Sequence, residues 1–112
     1  MTTGKIIIAT DSSISIQSRN DITDAIGKCF GAKGLILTDA DLSEDFFDLS
    51  SGFAGELLQK FVNYQIRVAI ILPDPSIYGK RFAELAYEHS THPIVRFVDS
   101  VESAKTWFDK SG

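Results

Sequence analysis

The polar side chains with the most suggestive spacing stand directly before an amphipathic stretch of the chain. Asp48, Ser50 and Ser51 carry short oxygen-bearing side chains, which accept hydrogen bonds from the free amide groups of a helix start. Gly52 has no side chain that would block the approach to that helix. The sequence therefore predicts a capped helix start, and this segment, which includes Leu49, is the first place to look for a functional surface.

A second polar group follows a predicted buried strand. Carboxylates gathered beyond a strand could bind a divalent cation, and this chain has five within ten positions: Asp39, Asp41, Glu44, Asp45 and Asp48. Their spacing matches neither the calcium-loop pattern nor another metal motif. We therefore interpret them as a solvated loop with helix-capping acids, and we predict no metal and no cofactor. The weaker interpretation is a ligand site that combines Asp39 and Asp41 with Tyr78 and Arg81.

The sequence offers no recognisable catalytic constellation. Cys29 is the only cysteine and lies on an apolar helical stripe, so we predict a buried small side chain and no nucleophile. His89 and His92 lie at a predicted helix end, where no further Cys or His is left to complete a zinc site. The GxSxG, GxxxxGK[ST] and GxGxxG patterns are absent. We expect no catalytic residues, and a binding protein is favoured over an enzyme.

Composition limits the class of protein further. The chain has 112 residues, of which 44% are hydrophobic and 23% charged, and this predicts a single domain over residues 1–112. A net charge of -4 without a run of Lys or Arg disfavours nucleic-acid binding. The first residues lack the features of a signal peptide, and no apolar run is long enough to span a membrane. We expect a soluble cytoplasmic protein.

Apolar periodicity predicts alternating strands and helices. The predicted strands are residues 5–10 (KIIIAT), 14–17, 35–37 (LIL), 66–72 (IRVAIIL) and 94–98 (IVRFV), the first two as a hairpin or at least as two short strands. The predicted helices are residues 18–30, 51–64, 76–89 and a last one from Asp99, where Glu102 completes a capping box, with a short helical turn at 43–47. The order β-β-α-β-α-β-α-β-α predicts an α/β fold with a mostly parallel sheet of about four or five strands and four helices.

This order of elements resembles the STAS domain, found in anti-sigma-factor antagonists and in the cytoplasmic tails of sulfate transporters. In that family the second helix follows a segment of the form aromatic or aliphatic, Asp, Ser, Ser or Thr, Gly, Leu, Gly. The corresponding stretch here reads Phe47, Asp48, Leu49, Ser50, Ser51, Gly52 and Phe53, with Leu49 inserted and with Ala54 before Gly55. The block SEDFFDLSSGFAGELLQKFVNY is also similar to a bacterial domain-of-unknown-function family, family 4180, which implies no activity.

The STAS resemblance implies a regulatory role. In STAS antagonists a partner kinase phosphorylates the serine before the glycine and so switches partner binding off; here that serine is Ser51, with Ser50 beside it. We therefore predict a protein-interaction module that presents Asp48, Leu49, Gly52 and Phe53 to a regulator or kinase. The alternative is a small-molecule or anion-binding domain, or a weak hydrolase, that uses the acidic strand ends. Pairing of an exposed edge strand would also allow a homodimer.

Overall fold

In the described part of the chain, four short strands form one parallel sheet at the centre of the molecule. The computed structural model describes residues 5–111, with side chains to residue 110. The strands are β1 (Ile6–Ile8), β2 (Gly34–Thr38), β3 (Val68–Ile71) and β4 (Val95–Val98), which pair in the order β1-β2-β3-β4. The strands are nearly continuous apolar runs, as expected for strands buried on both faces. The predicted α/β fold is confirmed.

Between residues 5 and 111, five α-helices accompany the sheet. They are α1 (Arg19–Cys29), α2 (Glu44–Phe47), α3 (Phe53–Asn63), α4 (Lys80–Glu88) and α5 (Val101–Ser111). The four longer ones correspond to the predicted helices, and α2 is the predicted short turn. Among the described residues, none of these helices is both long and apolar enough to cross a membrane. Residues 1–4 and 112 lie outside the described residues. The predictions of a single domain over residues 1–112 and of a start without signal-peptide features extend to these residues.

The sequential strand order places the connecting helices on one face of the sheet, because right-handed crossovers between neighbouring parallel strands all run on the same side. Leu35 and Leu37 of β2 point into this main core, together with apolar residues of α1, α3 and α4. Ile36 points to the opposite face, where α5 packs through Trp107 and Phe108. Each strand therefore has one face toward the main core and one toward α5.

The predicted hairpin is wrong, because residues 14–17 do not belong to the sheet. The Ile16 amide donates to the Asp41 carbonyl at 2.8 Å, and the Ile16 carbonyl accepts from the Ser43 amide at 3.2 Å. These bonds form a single parallel bridge between Ile16 and Leu42. The alternation of apolar and polar residues that predicted a strand instead reflects an extended segment with one buried side.

The starts of α3, α4 and α5 differ in detail from the prediction. A 3-10 turn at Leu49–Ser51 and a left-handed Gly52, with φ of 78°, precede α3. The predicted helix 76–89 is interrupted, since a 3-10 turn at Pro75–Tyr78 ends at Gly79, with φ of 105°, and only then does α4 begin. Glycine accommodates these positive φ angles without the clash that a side chain would cause.

The start of α5 is capped by a serine instead of the predicted pair of acidic residues. Ser100 Oγ accepts a hydrogen bond from the Ser103 amide at 3.1 Å. Ser103 Oγ in turn donates to Asp99 Oδ1 at 2.7 Å. This bond from Ser103 is the main cause that holds the pKa of Asp99 below its usual value, and the Ser100 side chain adds to the effect. Glu102 is exposed and takes no part in this cap.

We predict that Gly34→Ala destabilises the fold, because the Phe108 ring of α5 packs directly on this glycine of β2. A Cβ atom at position 34 would clash with that ring, which is fully buried. Overpacking of this kind costs about 1–3 kcal/mol. The loss would be measured as the change in the free energy of unfolding by chemical denaturation.

Gly55→Ala is the matched control for this substitution. Gly55 is exposed within α3, and a Cβ atom there would meet nothing within 4 Å. Alanine is favoured over glycine inside a helix by roughly 0.5–1 kcal/mol, so this variant should be slightly more stable than the wild type. Equal stability of the Gly34→Ala variant and the wild type would contradict the close packing of α5 on β2.

Candidate functional site

The candidate site lies at the carboxyl edge of the sheet, where the loops that follow β2 and β3 come together. In open parallel sheets ligands collect at this edge. Residues 47–50 from the first loop and residues 78–82 from the second line a cleft of about 510 Å³. Most of the polar lining residues are solvent-exposed. The cleft is therefore open, and it could hold a small molecule or several residues of a peptide.

Stacked aromatic rings form the floor of the cleft. The rings of Phe47 and Tyr78 lie nearly parallel, at 15°, with centroids 3.9 Å apart. Phe82 contacts both rings, with its centroid 5.3 Å from that of Phe47 and 5.6 Å from that of Tyr78. Beneath them, Phe46 and Phe97 continue the cluster into the main core. This packing fixes the two loops relative to one another.

Tyr78 also connects the floor to the end of β2. Its hydroxyl donates to Asp39 Oδ2 at 3.2 Å. Loss of solvent raises the pKa of Tyr78, and the negative charge of Asp39 and the hydrogen bond to it add to the increase. Tyr78 therefore stays a neutral hydrogen-bond donor at physiological pH. Asp39 and Tyr78, two of the predicted ligand-binding residues, are thus brought into direct contact.

One rim of the cleft carries Asp48 and Ser50. Asp48 Oδ1 accepts from both the amide of Ser50, at 3.1 Å, and its hydroxyl, at 2.6 Å. This is the local turn that an aspartate forms with the residue two positions later. Leu49 lies between them, and its half-buried side chain packs against the main core. The inserted leucine of the motif thus anchors the rim.

Ser51 has a different role from Ser50. Its hydroxyl lies 2.7 Å from the carbonyl oxygen of Asp45 and 2.8 Å from that of Asp48, and its single hydrogen is shared between these two acceptors. The same oxygen accepts a hydrogen bond from the Phe53 amide at 3.1 Å. Ser51 therefore accepts a hydrogen bond from the first amide of α3, as predicted for a serine at this helix start, although the N-cap residue itself is Gly52, which has no side chain. Ser51 does not line the cleft.

Two exposed cations, Lys80 and Arg81, occupy the other rim at the start of α4. Among residues 5–110, neither side chain forms an ion pair. The first turn of α4 contains no acidic residue, and no side chain caps it. The amides of a first helical turn lack partners within the helix, so they add to the positive potential of this rim.

Asp41 lies apart from the cleft and stabilises the fold. It is only 7% exposed. Its Oδ2 accepts from the Thr38 amide at 2.9 Å and from the Thr38 hydroxyl at 3.0 Å, while its Oδ1 accepts from the Thr10 hydroxyl at 3.2 Å. Both oxygens are thus used inside the protein. Of the four predicted ligand-binding residues, Tyr78 and Arg81 line the cleft, Asp39 contacts Tyr78 but is not a lining residue, and Asp41 lies apart from them.

Sequence reasoning missed Lys80 and Gly79 as site residues, because Lys80 fell on the polar side of a longer predicted helix. The available signal was a glycine followed by two cations, where a helix start usually has acidic residues. Cys29 is buried as predicted, and desolvation raises its pKa to about 11. In the described part of the chain, no three His, Cys, Asp or Glu side chains are arranged to hold a metal ion.

The fold and the site define a small α/β domain with an open binding cleft at the carboxyl edge of its parallel sheet. The chain belongs to the family described as domain of unknown function DUF4180, which it matches over residues 1–108. This match confirms the similarity to family 4180 that the sequence indicated. No curated protein and no solved structure matches the chain. None of these comparisons supports the resemblance to the STAS domain.

We predict that Asp41→Ala destabilises the protein, because the half-buried Thr38 would lose the acceptor of its amide and its hydroxyl. A fully buried donor left without a partner costs about 1–3 kcal/mol, so the loss should lie toward the lower end of this range. Asp41→Asn, which keeps one acceptor oxygen, should lose less. Denaturant unfolding followed by circular dichroism would measure both changes.

The control is Asp24→Ala on the exposed side of α1, which should change the free energy of unfolding by no more than about 0.5 kcal/mol. If Asp41→Ala were as stable as this control, the structural role of Asp41 would be refuted.

Proposed function

We propose that this domain is a regulatory protein-interaction module without catalytic activity, and that it binds a partner through the cleft and the adjoining residues 48–52. Phe53, which the sequence predicted to face a partner, is only 4% exposed and packs in the main core. The main support for this proposal is the set of side chains that line the cleft. A stacked aromatic floor lies between a rim with the carboxylate of Asp48 and a rim with the cations Lys80 and Arg81. The segment from Phe47 to Phe53, whose sequence resembles the regulated loop of the STAS domain, agrees with this role.

Aromatic and arginine side chains are the residue types that most often anchor protein partners. Phe47 and Tyr78 are half-buried, so part of each ring is available to a ligand. Catalysis usually requires a site from which water is excluded, whereas this cleft is open and its polar rims are solvated. The geometry therefore supports binding of an extended segment better than it supports a reaction.

The charges in the cleft favour an acidic partner. Lys80 and Arg81 form no ion pair with any residue between 5 and 110, so a ligand carboxylate would not have to displace an internal partner. Arginine pairs with a carboxylate through two parallel hydrogen bonds, which fixes the direction of the bound group. We propose that the partner inserts a segment that carries an acidic residue next to an apolar one.

The double substitution Lys80→Ala/Arg81→Ala should weaken partner binding about tenfold or more, because it removes the two-bond pairing of Arg81 with the ligand carboxylate, and arginine is a frequent hot-spot residue. A photoreactive phenylalanine derivative at Leu49 would first capture the partner in native cells, and mass spectrometry would identify it. Calorimetry with the purified partner would then give the affinities. The control is Lys60→Ala/Lys105→Ala, which removes the same charge from exposed positions on α3 and α5.

A small ligand is the alternative occupant, and the contact between Tyr78 and Asp39 beside Arg81 favours it. Such a ligand would be a small anion, bound or weakly hydrolysed at this edge. Titration with inorganic phosphate would then shift the amide resonances of Lys80 and Arg81 in nuclear magnetic resonance spectra. Shifts with phosphate, combined with no captured protein, would replace the protein partner with a small anion.

A phosphorylation switch in the same loop is the second part of the proposal, and the two serines should respond differently. The hydroxyl of Ser50 faces the cleft beside Asp48, so a phosphate there would lie near Lys80 and Arg81 and would compete with an acidic partner. A phosphate on Ser51 would remove the hydrogen that binds two backbone carbonyls, and the loop would have to rearrange.

We predict that phosphoserine at position 50 blocks partner binding and leaves the fold intact, whereas phosphoserine at position 51 also lowers the melting temperature. Both forms can be made by site-specific incorporation and compared by calorimetry and thermal unfolding. Phosphoserine at Ser76 is the matched control. Ser76 is exposed and bonds to Asp74 in the same local turn, but it lies outside the cleft.

Mass spectrometry of the native protein, with and without phosphatase treatment, tests whether the switch is used. Peptide mapping of residues 42–60 would locate the phosphate. An unmodified chain in several growth states would reject the switch and leave the binding cleft as a separate proposal.

A further inference from the structure

The connection between α4 and β4 contains two stacked histidines, which the proposed function does not use. His92 Nδ1 accepts hydrogen bonds from the amides of Ile94, at 3.0 Å, and Val95, at 3.2 Å. Val95 is the first residue of β4. Because Nδ1 is an acceptor in both bonds, the ring hydrogen of a neutral His92 lies on Nε2. The entry of the chain into β4 thus depends on an uncharged imidazole.

The second ring ties the end of α4 to the same point. His89 follows the last residue of α4, and its ring stacks on that of His92 with centroids 4.8 Å apart and planes inclined by 21°. His89 Nδ1 also lies 3.4 Å from the Val95 carbonyl oxygen. The histidine pair, His89 and His92, therefore joins the carboxyl end of α4 to the start of β4.

The charges that face His92 oppose its protonation. They are His89 at the end of α4 and Arg96 on β4, whose Nε donates to the His92 carbonyl oxygen at 2.7 Å. The Arg96 guanidinium is held in place by Trp107 of α5, with its central carbon 4.7 Å from the ring centroid. Burial lowers the pKa of His92, and the charges of His89 and Arg96 lower it further.

We propose that the histidine pair is a proton-sensitive contact that holds the connection between α4 and β4 closed when neutral and releases it when His92 is protonated. A proton on His92 must bind Nδ1, so it removes the acceptor for both the Ile94 and the Val95 amides. It also places a positive ring against His89. The contact stands on its own geometry and does not depend on the proposed binding function.

The direction of the pH effect follows from the lowered pKa. A neutral His92 is favoured in the folded state, so its contribution to stability is complete above the ordinary histidine pKa of 6.5. The contribution decreases as the pH falls below that value and is lost once the pH passes the folded-state pKa. The region around Ile94 should therefore open first on acidification.

Nuclear magnetic resonance of the wild-type protein, titrated from about pH 8 to about pH 5, tests the proposal without a substitution. The His92 ring signals should titrate below the range of an unfolded histidine. The Ile94 and Val95 amides should lose their hydrogen-exchange protection over the same pH interval. A His92 pKa at or above the unfolded value, or amides that stay protected while His92 titrates, would overturn the proposal.

His92→Asn provides a matched variant, since asparagine offers an oxygen acceptor to amides two and three positions later but does not titrate. This variant should fold. It should not show the part of the acid-induced decrease in stability that His92 causes in the wild type. His89→Gln should keep both amide bonds and retain a smaller pH dependence. An unchanged pH dependence in a folded His92→Asn variant would also refute the proposed role.

Discussion

The buried carboxylate of Asp41 is the interaction on which the carboxyl edge of the sheet depends. It joins the end of β2, through Thr38, to the segment after β1, through Thr10, and the Asp41 backbone carbonyl binds the Ile16 amide. A buried carboxylate is unfavourable unless its oxygens are hydrogen-bonded, and here three donors satisfy it. These bonds fix the turn that carries Asp39, and Asp39 in turn meets Tyr78 across the edge.

The sequence could predict those elements whose signal is local. Continuous apolar runs identified the four strands of the sheet, and spacings of three and four residues identified the long helices. Residues 14–17 were misassigned, because alternation of apolar and polar residues reports one-sided burial and not strand pairing. The break at Gly79 was missed, because Tyr78 and Phe82 keep helical spacing across it. Both rings are held by the same aromatic cluster, so the pattern continues where the helix does not.

The candidate site was predictable to the extent that it is built from neighbouring residues. Ser51 bonds to Phe53, two positions away, and its residue type and place before an amphipathic run were sufficient to predict this bond. Asp41 could not be placed in the same way, because its partner Thr10 lies 31 positions earlier in the chain. The cleft likewise depends on the meeting of residues 47–50 with residues 78–82, and no periodicity within either segment encodes that contact.

Helix α4 connects the two proposals physically. At its start, Lys80 and Arg81 stand where the helix dipole disfavours positive charge, and no side chain caps the turn. Beyond its end, the connection to β4 depends on the His92 ring, whose Nδ1 accepts two amide bonds. The positive charges at the start of α4 oppose the usual stabilisation of a helix, so the helix must be held by its packing. Phe82, which is fully buried against Phe46 and Phe97, supplies that packing. Departures from local preference that are compensated by tertiary contacts are typical of functional positions, and one occurs here at the start of α4.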